Sequence, residues 1–175
     1  MNEQQAIDLL KKYSSDEVAF KKVLSHVQAV QKAALRIAER IPDVDKEFIA
    51  TASLLHDIGR FQFPPGSKDA IRHGIAGGEI LRKEGFAKHA LVAERHIGAG
   101  ISKKDIIKQK LRLPHKEFMP RSKEEKLIAH ADNLIFGDKE GTLQMAIDRF
   151  RTELGEEYAK RVKRLAKEVE GRQRA

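Results

Sequence analysis

The 175-residue sequence contains no cysteine and no tryptophan, and its aromatic content is low. Without cysteine there can be no disulfides and no thiolate ligands, so any bound metal must be held by histidine and carboxylate side chains. No apolar run approaches the roughly 20 residues that a membrane-spanning helix needs. The first residues, MNEQQAIDLL, lack the basic and apolar regions of a secretory signal. The sequence therefore predicts a cytoplasmic protein that does not act in a membrane.

Acidic residues are fewer than basic ones, and the formal net charge is +8. Residues 101–126 hold nine lysines and arginines against four acidic residues, and residues 156–175 add seven against four. A basic excess favours anionic partners such as nucleotides, phosphorylated metabolites or nucleic acid, although a solvated surface gives the same pattern. Because Phe118 is the only aromatic residue among the basic residues of 101–126, a dedicated single-strand nucleic-acid binder is disfavoured.

The apolar pattern predicts an all-α protein with a single domain over residues 1–175. Strand-like alternation, internal repeats and low-complexity tracts are absent from the sequence. Helical periodicity, capping residues and the placement of proline and glycine predict helices at about 16–40, 45–57, 71–84, 88–97, 102–110, 122–136, 142–154 and 156–170. We expect the core to lie within about 16–140 and the helices of 142–170 to pack on it.

Histidine and aspartate recur at helix ends and on apolar helix faces. The stretch ASLLHDIGRF ends an apolar helix with His56 and Asp57, and burying a polar group without a partner costs roughly 2–7 kcal/mol, more for a charge. We expect Gly59 to let the chain turn and expose both groups. The other members of the set occur on separate helices, at His26, His73, His96 and Asp132. A shared metal would satisfy His56 and Asp57 together, since imidazole and carboxylate suit Mn, Fe, Mg or Zn.

This ordered set resembles the HD-domain metal-dependent phosphohydrolases of the HDIG type. The similarity covers roughly residues 20–137 and rests on HDIG after an apolar helix, on RHGIAGGEILRKEG, on ERHIGAG and on EEKLIAHADNL. HD dipeptides alone are common, whereas the full ordered set is specific. The resemblance implies a bundle of about seven to nine helices and an enzyme that depends on metal.

The resemblance also implies the role of each member of the set. The first metal would be held by His26, His56, Asp57 and Asp132, and the second by His73, His96 and a bridging Asp57. Both ions would be divalent transition metals, chosen among Mn, Fe, Ni, Co and Zn, with Mg less favoured. A metal-activated hydroxide would attack phosphorus while the ions neutralise the phosphoryl oxygens. Asp57 would then act both as ligand and as the catalytic group that orients the hydroxide.

Substrate contacts are predicted from basic residues close to the ligands in sequence. Arg60 directly follows HDIG, where it could clamp phosphate oxygens or make an ion pair with a neighbouring helix. Lys103 and Lys104 follow the HIGAG turn and could bind phosphate, and His115 in the basic loop could help protonate a leaving group. A solvated surface position is the alternative for these three. Because both ends of residues 101–126 adjoin predicted ligands, we expect this segment to pass over or near the site entrance.

Two other histidines are predicted to lie outside the site. His130 is two residues before Asp132, about 200° around the helix, so we expect it to point away from the ligands, on the surface or behind them. His89 shares a helix face with His96 but lies about 10 Å away along the axis. We interpret it as a packing or surface residue.

Three functions fit this set of residues. The favoured one is a phosphomonoesterase or phosphodiesterase that acts on a nucleotide-like or other small phosphorylated substrate. The same ligand set also serves mixed-valent di-iron oxygenases of the HD type, which cleave C–C or C–P bonds with dioxygen. A non-catalytic module that binds a nucleotide or RNA is the third, disfavoured because no ligand position is replaced. The sequence does not distinguish a monomer from a homodimer.

Overall fold

The described chain, residues 1–171 of this computed structural model, contains nine α-helices, two short 3-10 helices (Ile58–Phe61 and Ala70–Arg72) and one short hairpin. The helices are α1 (Glu3–Tyr13), α2 (Glu17–Ala38), α3 (Lys46–Leu55), α4 (His73–Lys83), α5 (Ala87–Arg95), α6 (Lys103–Gln109), α7 (Lys123–Asn133), α8 (Leu143–Leu154) and α9 (Glu156–Glu170). The strands β1 (Ile135–Phe136) and β2 (Lys139–Glu140) pair antiparallel between α7 and α8. The all-α prediction is confirmed. Within the described range, no helix combines the length and apolar character needed to cross a membrane.

Most helix boundaries lie within a few residues of the prediction because the expected capping residues are in place. The Asp16 carboxylate accepts a hydrogen bond from the Ala19 amide at the start of α2, and Ser122 caps α7 in the same way. Two elements were not predicted. Helix α1 begins at a capping box between Asn2 and Gln5, and α7 ends before the hairpin rather than continuing to residue 136. Arg172 and Arg174, which belong to the basic C-terminal segment, lie outside the described residues.

The core has two large apolar clusters that share α2 and α3. The first joins α2 and α3 to α7, α8 and α9, and α9 contributes the buried side chains of Val162, Leu165 and Val169. The second joins them to α1, α4 and α5, and α1 buries Ala6, Leu9 and Leu10 there. Helices α2 and α3, which carry His26 and end at His56 and Asp57, are thus packed from both sides.

The segment after α3 approaches the start of α4 at a point where only glycine fits. A Cβ on Gly59 would overlap the carbonyl oxygen of His73 and lie 2.6 Å from the Gly77 nitrogen. Gly59 is not among the residues with positive φ, so its function is close packing and not the expected turn. The expectation that His56 and Asp57 are exposed is also wrong, because they are 0% and 5% exposed. Asp57 lies against the start of α4, 3.2 Å from His73. His56 packs against the rings of His26 and His96.

Candidate metal centre

Asp57 lies between two pairs of imidazoles. Its Oδ1 is 3.2 Å from His73 Nε2 and 3.4 Å from His96 Nε2. Its Oδ2 is 3.5 Å from His26 Nε2 and 4.0 Å from His56 Nε2. Each oxygen of this one carboxylate therefore faces a different pair of ring nitrogens.

Asp132 completes one side of the cluster. Its Oδ1 is 3.1 Å from His26 Nε2 and 3.5 Å from His56 Nε2. Three overlapping groups have ligand atoms close enough together to hold a metal ion, namely His26–His56–Asp57, His56–His96–Asp132 and Asp57–His73–His96. The structure thus brings together all six residues that the sequence proposed as ligands, although they come from five different helices or helix ends.

The inner nitrogen of every ring in the cluster is held by a backbone carbonyl. The Nδ1···O distances are 2.7 Å for His56 to Ser53, 2.6 Å for His73 to Ala70, 2.8 Å for His96 to Ala93 and 2.6 Å for His26 to Gly137. Because a carbonyl oxygen can only accept, each Nδ1 carries a proton and donates it. Each Nε2 is then the nitrogen that faces the cluster, which is the arrangement metal-ligating histidines adopt.

One polar atom in the cluster has no good partner within the protein. His56 is fully buried, and its Nε2 makes no hydrogen bond among the described residues. Leaving a buried nitrogen unsatisfied costs about 1–3 kcal/mol. A cation bound by the cluster would remove that cost, and the donor set of imidazole and carboxylate suits a divalent transition metal. The residues therefore fit a metal site.

Burial and neighbouring charges oppose each other at the ionisable groups of the cluster. Burial raises the pKa of Asp57, but Arg60 and the imidazoles of His56 and His73 hold that pKa well below its usual value. The pKa of Asp132 is likewise held well below its usual value, against burial, by its hydrogen bond to His26 and by the charges of the His26 and His56 imidazoles. For His26, burial lowers the pKa, yet the hydrogen bond and charge of Asp132 raise it to about 9. Both carboxylates are therefore ionised and attract cations.

A cavity of about 690 Å³ opens onto the cluster. Five of the six cluster residues line it, all except His56. Its other walls come from the first half of α2, the segment after α3, the turn after His96, the hairpin and α8. Three cationic side chains also line it, those of Lys22, Arg60 and Arg149.

The predicted substrate residues fall into two groups. Arg60 lines the cavity, and its Nε is 3.3 Å from both oxygens of Asp57, so its ion pair is with the cluster and not with a neighbouring helix. Lys103, Lys104 and His115 are exposed and do not line the cavity. Their contribution to substrate binding stays a prediction, and it would have to act from outside the cavity.

The basic segment is held away from the cavity by its own apolar residues. Ile101 and Phe118 form an isolated antiparallel bridge that closes the segment on itself. A small apolar cluster then anchors it beside the start of α4, formed by Ile101, Ile106, Leu113 and Phe118 with Ile71, Ile75, Ile97 and Leu111 packed against them. Sequence adjacency to His96 therefore does not bring this segment's cations over the metals.

The two remaining histidines lie outside the cluster. Of the two positions predicted for His130, the surface one is excluded because the residue is fully buried, and its Nε2 is 2.9 Å from Glu170 Oε1. His89 packs edge-on against Phe48 and Phe86 and hydrogen-bonds to Thr51.

Sequence reasoning missed Lys22 and Arg149 in the cavity wall. Lys22 precedes His26 by one helical turn, a spacing that could have indicated it. Arg149 follows the last ligand by a hairpin and half a helix, and no motif in the sequence marks it.

An all-α fold whose helix ends converge on buried histidines and aspartates defines a metal-binding helical protein. Residues 23–137 match the family described as HD domain, and the chain belongs to that family. The similarity that the ordered histidines and aspartates indicated is thus confirmed.

Three relatives are similar to this chain over nearly its whole length. An uncharacterized protein of Methanocaldococcus jannaschii is 42% identical over 163 residues, which is 90% of this chain and 89% of that protein. Proteins named tRNA (cytidine(56)-2'-O)-methyltransferase from Picrophilus torridus and Thermoplasma volcanium are each 37% identical, over 96% and 95% of this chain. The matched part is 46% of each methyltransferase, so the chain spans about half their length. No solved structure matches this chain.

Proposed function

We propose that this protein is a metal-dependent phosphohydrolase, a phosphomonoesterase or phosphodiesterase acting on a nucleotide-like or other small phosphorylated substrate. The observation that carries the proposal is the Asp57 carboxylate, whose two oxygens face separate pairs of imidazoles. One metal would be held by His26, His56, Asp57 and Asp132, and a second by Asp57, His73 and His96. When bound, such ions supply an activated water and neutralise the charge of a phosphoryl group.

The residues of the chain would position the substrate. Arg60 donates to Asp57 through Nε, which leaves the two terminal nitrogens of its guanidinium to bind phosphoryl oxygens bidentately. Apolar residues of the wall, including Phe61, Ile97 and Phe150, would exclude water around the reacting group. The cavity of about 690 Å³ falls within the range of about 300–1,000 Å³ that is usual for small-molecule sites.

Charge and the relatives support the nucleotide-like class of substrate. The cavity wall contains three cationic side chains, which favour a substrate with phosphate groups. Two of the relatives carry names that describe modification of a tRNA cytidine. A nucleotide or the end of an RNA chain is therefore the substrate class to test before phosphorylated sugars.

The proposal is tested by metal analysis combined with a substrate panel. Protein loaded separately with Mn, Fe, Co, Ni or Zn is assayed on nucleoside monophosphates, cyclic nucleotides, dinucleoside polyphosphates and p-nitrophenyl phosphate. We expect metal-dependent release of phosphate or of a nucleoside monophosphate, and its loss in Asp57→Asn protein purified in the same way, which controls for contaminating phosphatases.

Two outcomes would contradict the proposal. Oxygen consumption by anaerobically iron-loaded protein, without ester hydrolysis, would assign it to the di-iron oxygenases that share these ligands. Nucleotide binding without any turnover, at every metal, would assign it to the non-catalytic binding modules.

A further inference from the structure

Arg149 lies in the cavity wall without an acidic partner. Its Nε is buried and makes no hydrogen bond within residues 1–171, and no carboxylate of that range lies within ion-pair distance of its guanidinium. Several other arginines of the chain are paired with carboxylates, as in Arg36–Glu140, Arg82–Glu94, Arg95–Glu125, Arg112–Asp69 and Arg161–Asp105. Arg149 is half-buried, and a buried N–H without an acceptor costs free energy, so an anion from outside the chain would find this cation unpaired.

Two aromatic rings fix the Arg149 guanidinium in place. Its central carbon is 4.8 Å from the centre of the Phe136 ring and 4.5 Å from that of Phe150. Such cation–π contacts restrain the group but satisfy none of its N–H donors. Arg149 also lines the cavity, so a ligand there would meet a guanidinium that is already restrained.

The same rings place Arg149 near the metal centre without touching its ligands. Phe136 directly precedes Gly137, whose carbonyl holds His26 at 2.6 Å. Phe150 packs so close to the turn after His96 that a Cβ on Gly98 would lie 3.0 Å from it. The two rings that contact the guanidinium therefore lie beside the backbone around His26 and His96, which belong to different halves of the cluster.

Lys22 offers a second cation on another wall of the cavity. It lies on α2, one helical turn before His26, it lines the cavity, and its side chain is exposed. Nothing in the described chain forms an ion pair with it, whereas its neighbour Lys21 pairs with Glu17.

We propose that Arg149 and Lys22 form a second phosphate subsite, so that the substrate carries two phosphate groups. This inference rests on the proposed phosphohydrolase function, in which the metals and Arg60 already serve the reacting phosphate. Helix α8 contributes none of the six cluster residues, and the cavity is far larger than one phosphate. A further phosphate on the substrate would use the two cations of the wall that the reacting phosphate leaves free.

The acidic residues of the wall favour a ribose between the two phosphates. Asp138 and Glu153 line the cavity together with the cations, and Ser25 Oγ donates to Asp138 Oδ2 at 3.0 Å. Carboxylates repel a continuous polyphosphate chain but accept hydrogen bonds from sugar hydroxyls. The substrate class is therefore a nucleotide with phosphates at two positions of one ribose, either free or at the end of an RNA chain.

The test compares substrates with one and two phosphates in matched arginine variants. Arg149→Gln should raise the KM for adenosine 3′,5′-bisphosphate by about tenfold or more, and Lys22→Gln by less, while p-nitrophenyl phosphate hydrolysis changes by no more than about twofold. Arg151→Gln, on the same helix but exposed and paired with Asp148, should change neither substrate. Arg149→Lys should restore part of the loss if charge is what matters.

Equal loss on both substrates, or no loss on either, would overturn the subsite. A thermal unfolding curve of Arg149→Gln guards against misfolding as the cause, and if that variant unfolds early, Arg149→Met, which also removes the charge, takes its place in the same comparison. An RNA oligonucleotide with a terminal 3′-phosphate, assayed beside the mononucleotide, distinguishes the two sources of this chemistry by their kcat/KM.

A binding experiment separates failure of the second phosphate subsite from failure of the proposed phosphohydrolase function. If no phosphate ester is hydrolysed, calorimetric titration of the protein with adenosine 3′,5′-bisphosphate and with adenosine 5′-monophosphate can be done without turnover. Tighter binding of the bisphosphate that Arg149→Gln abolishes would support the subsite even then, and equal binding of the two nucleotides would overturn it.

Discussion

The hydroxyl of Tyr158 lies 2.9 Å from the carbonyl oxygen of Ile97, the residue that directly follows His96. It is also 3.0 Å from the Gly100 carbonyl and accepts a hydrogen bond from the Ala99 amide at 3.3 Å. Burial raises the pKa of this hydroxyl, so it stays protonated and can donate. Helix α9, which carries no member of the metal cluster, thus holds the turn beside one of its histidines.

Replacing Tyr158 with phenylalanine should therefore weaken both the fold and the centre. We expect Tyr158→Phe to lower the free energy of unfolding by about 1–3 kcal/mol, because buried carbonyl and amide groups lose their partner, and to lower metal affinity on the His96 side. The control is Tyr13→Phe, which removes a hydroxyl bonded to Glu84 and to no residue of the turn after His96. Denaturant unfolding and metal titration measure the two effects, and identical behaviour of the two variants would refute this role.

Metal content tests the division of the cluster into two halves. We expect two ions per chain, the second bound more weakly because fewer protein ligands hold it. His73→Ala should lose only the second ion, while His115→Ala, at an exposed position, should keep both. Elemental analysis after mild dialysis provides the count. Never finding more than one ion, even with Mn or Fe in excess, would contradict a binuclear centre.

The shared carboxylate should be the most sensitive single position. Asp57→Asn keeps the shape of the side chain but removes the charge that faces four imidazoles, so we expect turnover to disappear and both metals to bind more weakly. Asp8→Asn makes the same chemical change at an exposed position on α1 and should alter neither property. Retention of full metal content and activity in Asp57→Asn would show that the assigned ligands are wrong.

The exposed lysines near His96 provide a test of long-range charge. If Lys103 and Lys104 bind phosphate, as the sequence predicts, Lys103→Gln with Lys104→Gln should raise KM for a phosphorylated substrate about tenfold. Since neither residue lines the cavity, any effect must act through the electrostatic field and disappear with screening at about 0.15 M salt. Steady-state kinetics across a salt series would decide this. A KM increase that persists at high salt would mean direct contact, and no increase at low salt would assign the lysines to the solvated surface.

Acid stability should depend on His89, which lies outside the cluster. Burial lowers its pKa from 6.5 to about 4 in the folded protein. As the pH falls from 6.5 toward 4, the unfolded chain takes up a proton that folded His89 resists, so stability decreases over this window. His89→Gln should therefore flatten the pH dependence of the unfolding free energy there, whereas exposed His115→Gln should not. Urea unfolding at stepped pH measures this, and parallel curves for His89→Gln and the parent would disprove it.

Local patterns in the sequence predicted most of the helices. The order of the histidines and aspartates along the chain identified the six residues that the structure brings together in the cluster. Helix caps such as Asp16 act within one turn, so their effects are visible in a short window of sequence. The hairpin was missed because strands of two residues have no periodicity, and α1 because its buried face consists of only Ala6, Leu9 and Leu10.

The substrate side of the site was harder to predict because it depends on tertiary packing. Lys103 and Lys104 follow His96 closely in sequence, yet the packing of Ile101 against Phe118 and its neighbours keeps them out of the cavity. Arg149 is distant in sequence from every ligand, and only the packing of α8 brings it to the wall. A cavity is defined by which helices meet, and no local pattern encodes that.

The cluster also ties distant parts of the chain to one another. His26 and Asp132 are 106 residues apart in sequence, and the other ligands come from the ends of three intervening helices. In a chain without cysteine, a metal bound here is the crosslink that closes these long loops, and its binding energy is added to that of folding. Metal starvation would then shorten the lifetime of the folded protein, exposing it to proteases, and not merely stop its chemistry. The cellular abundance of the protein would follow the supply of its metal.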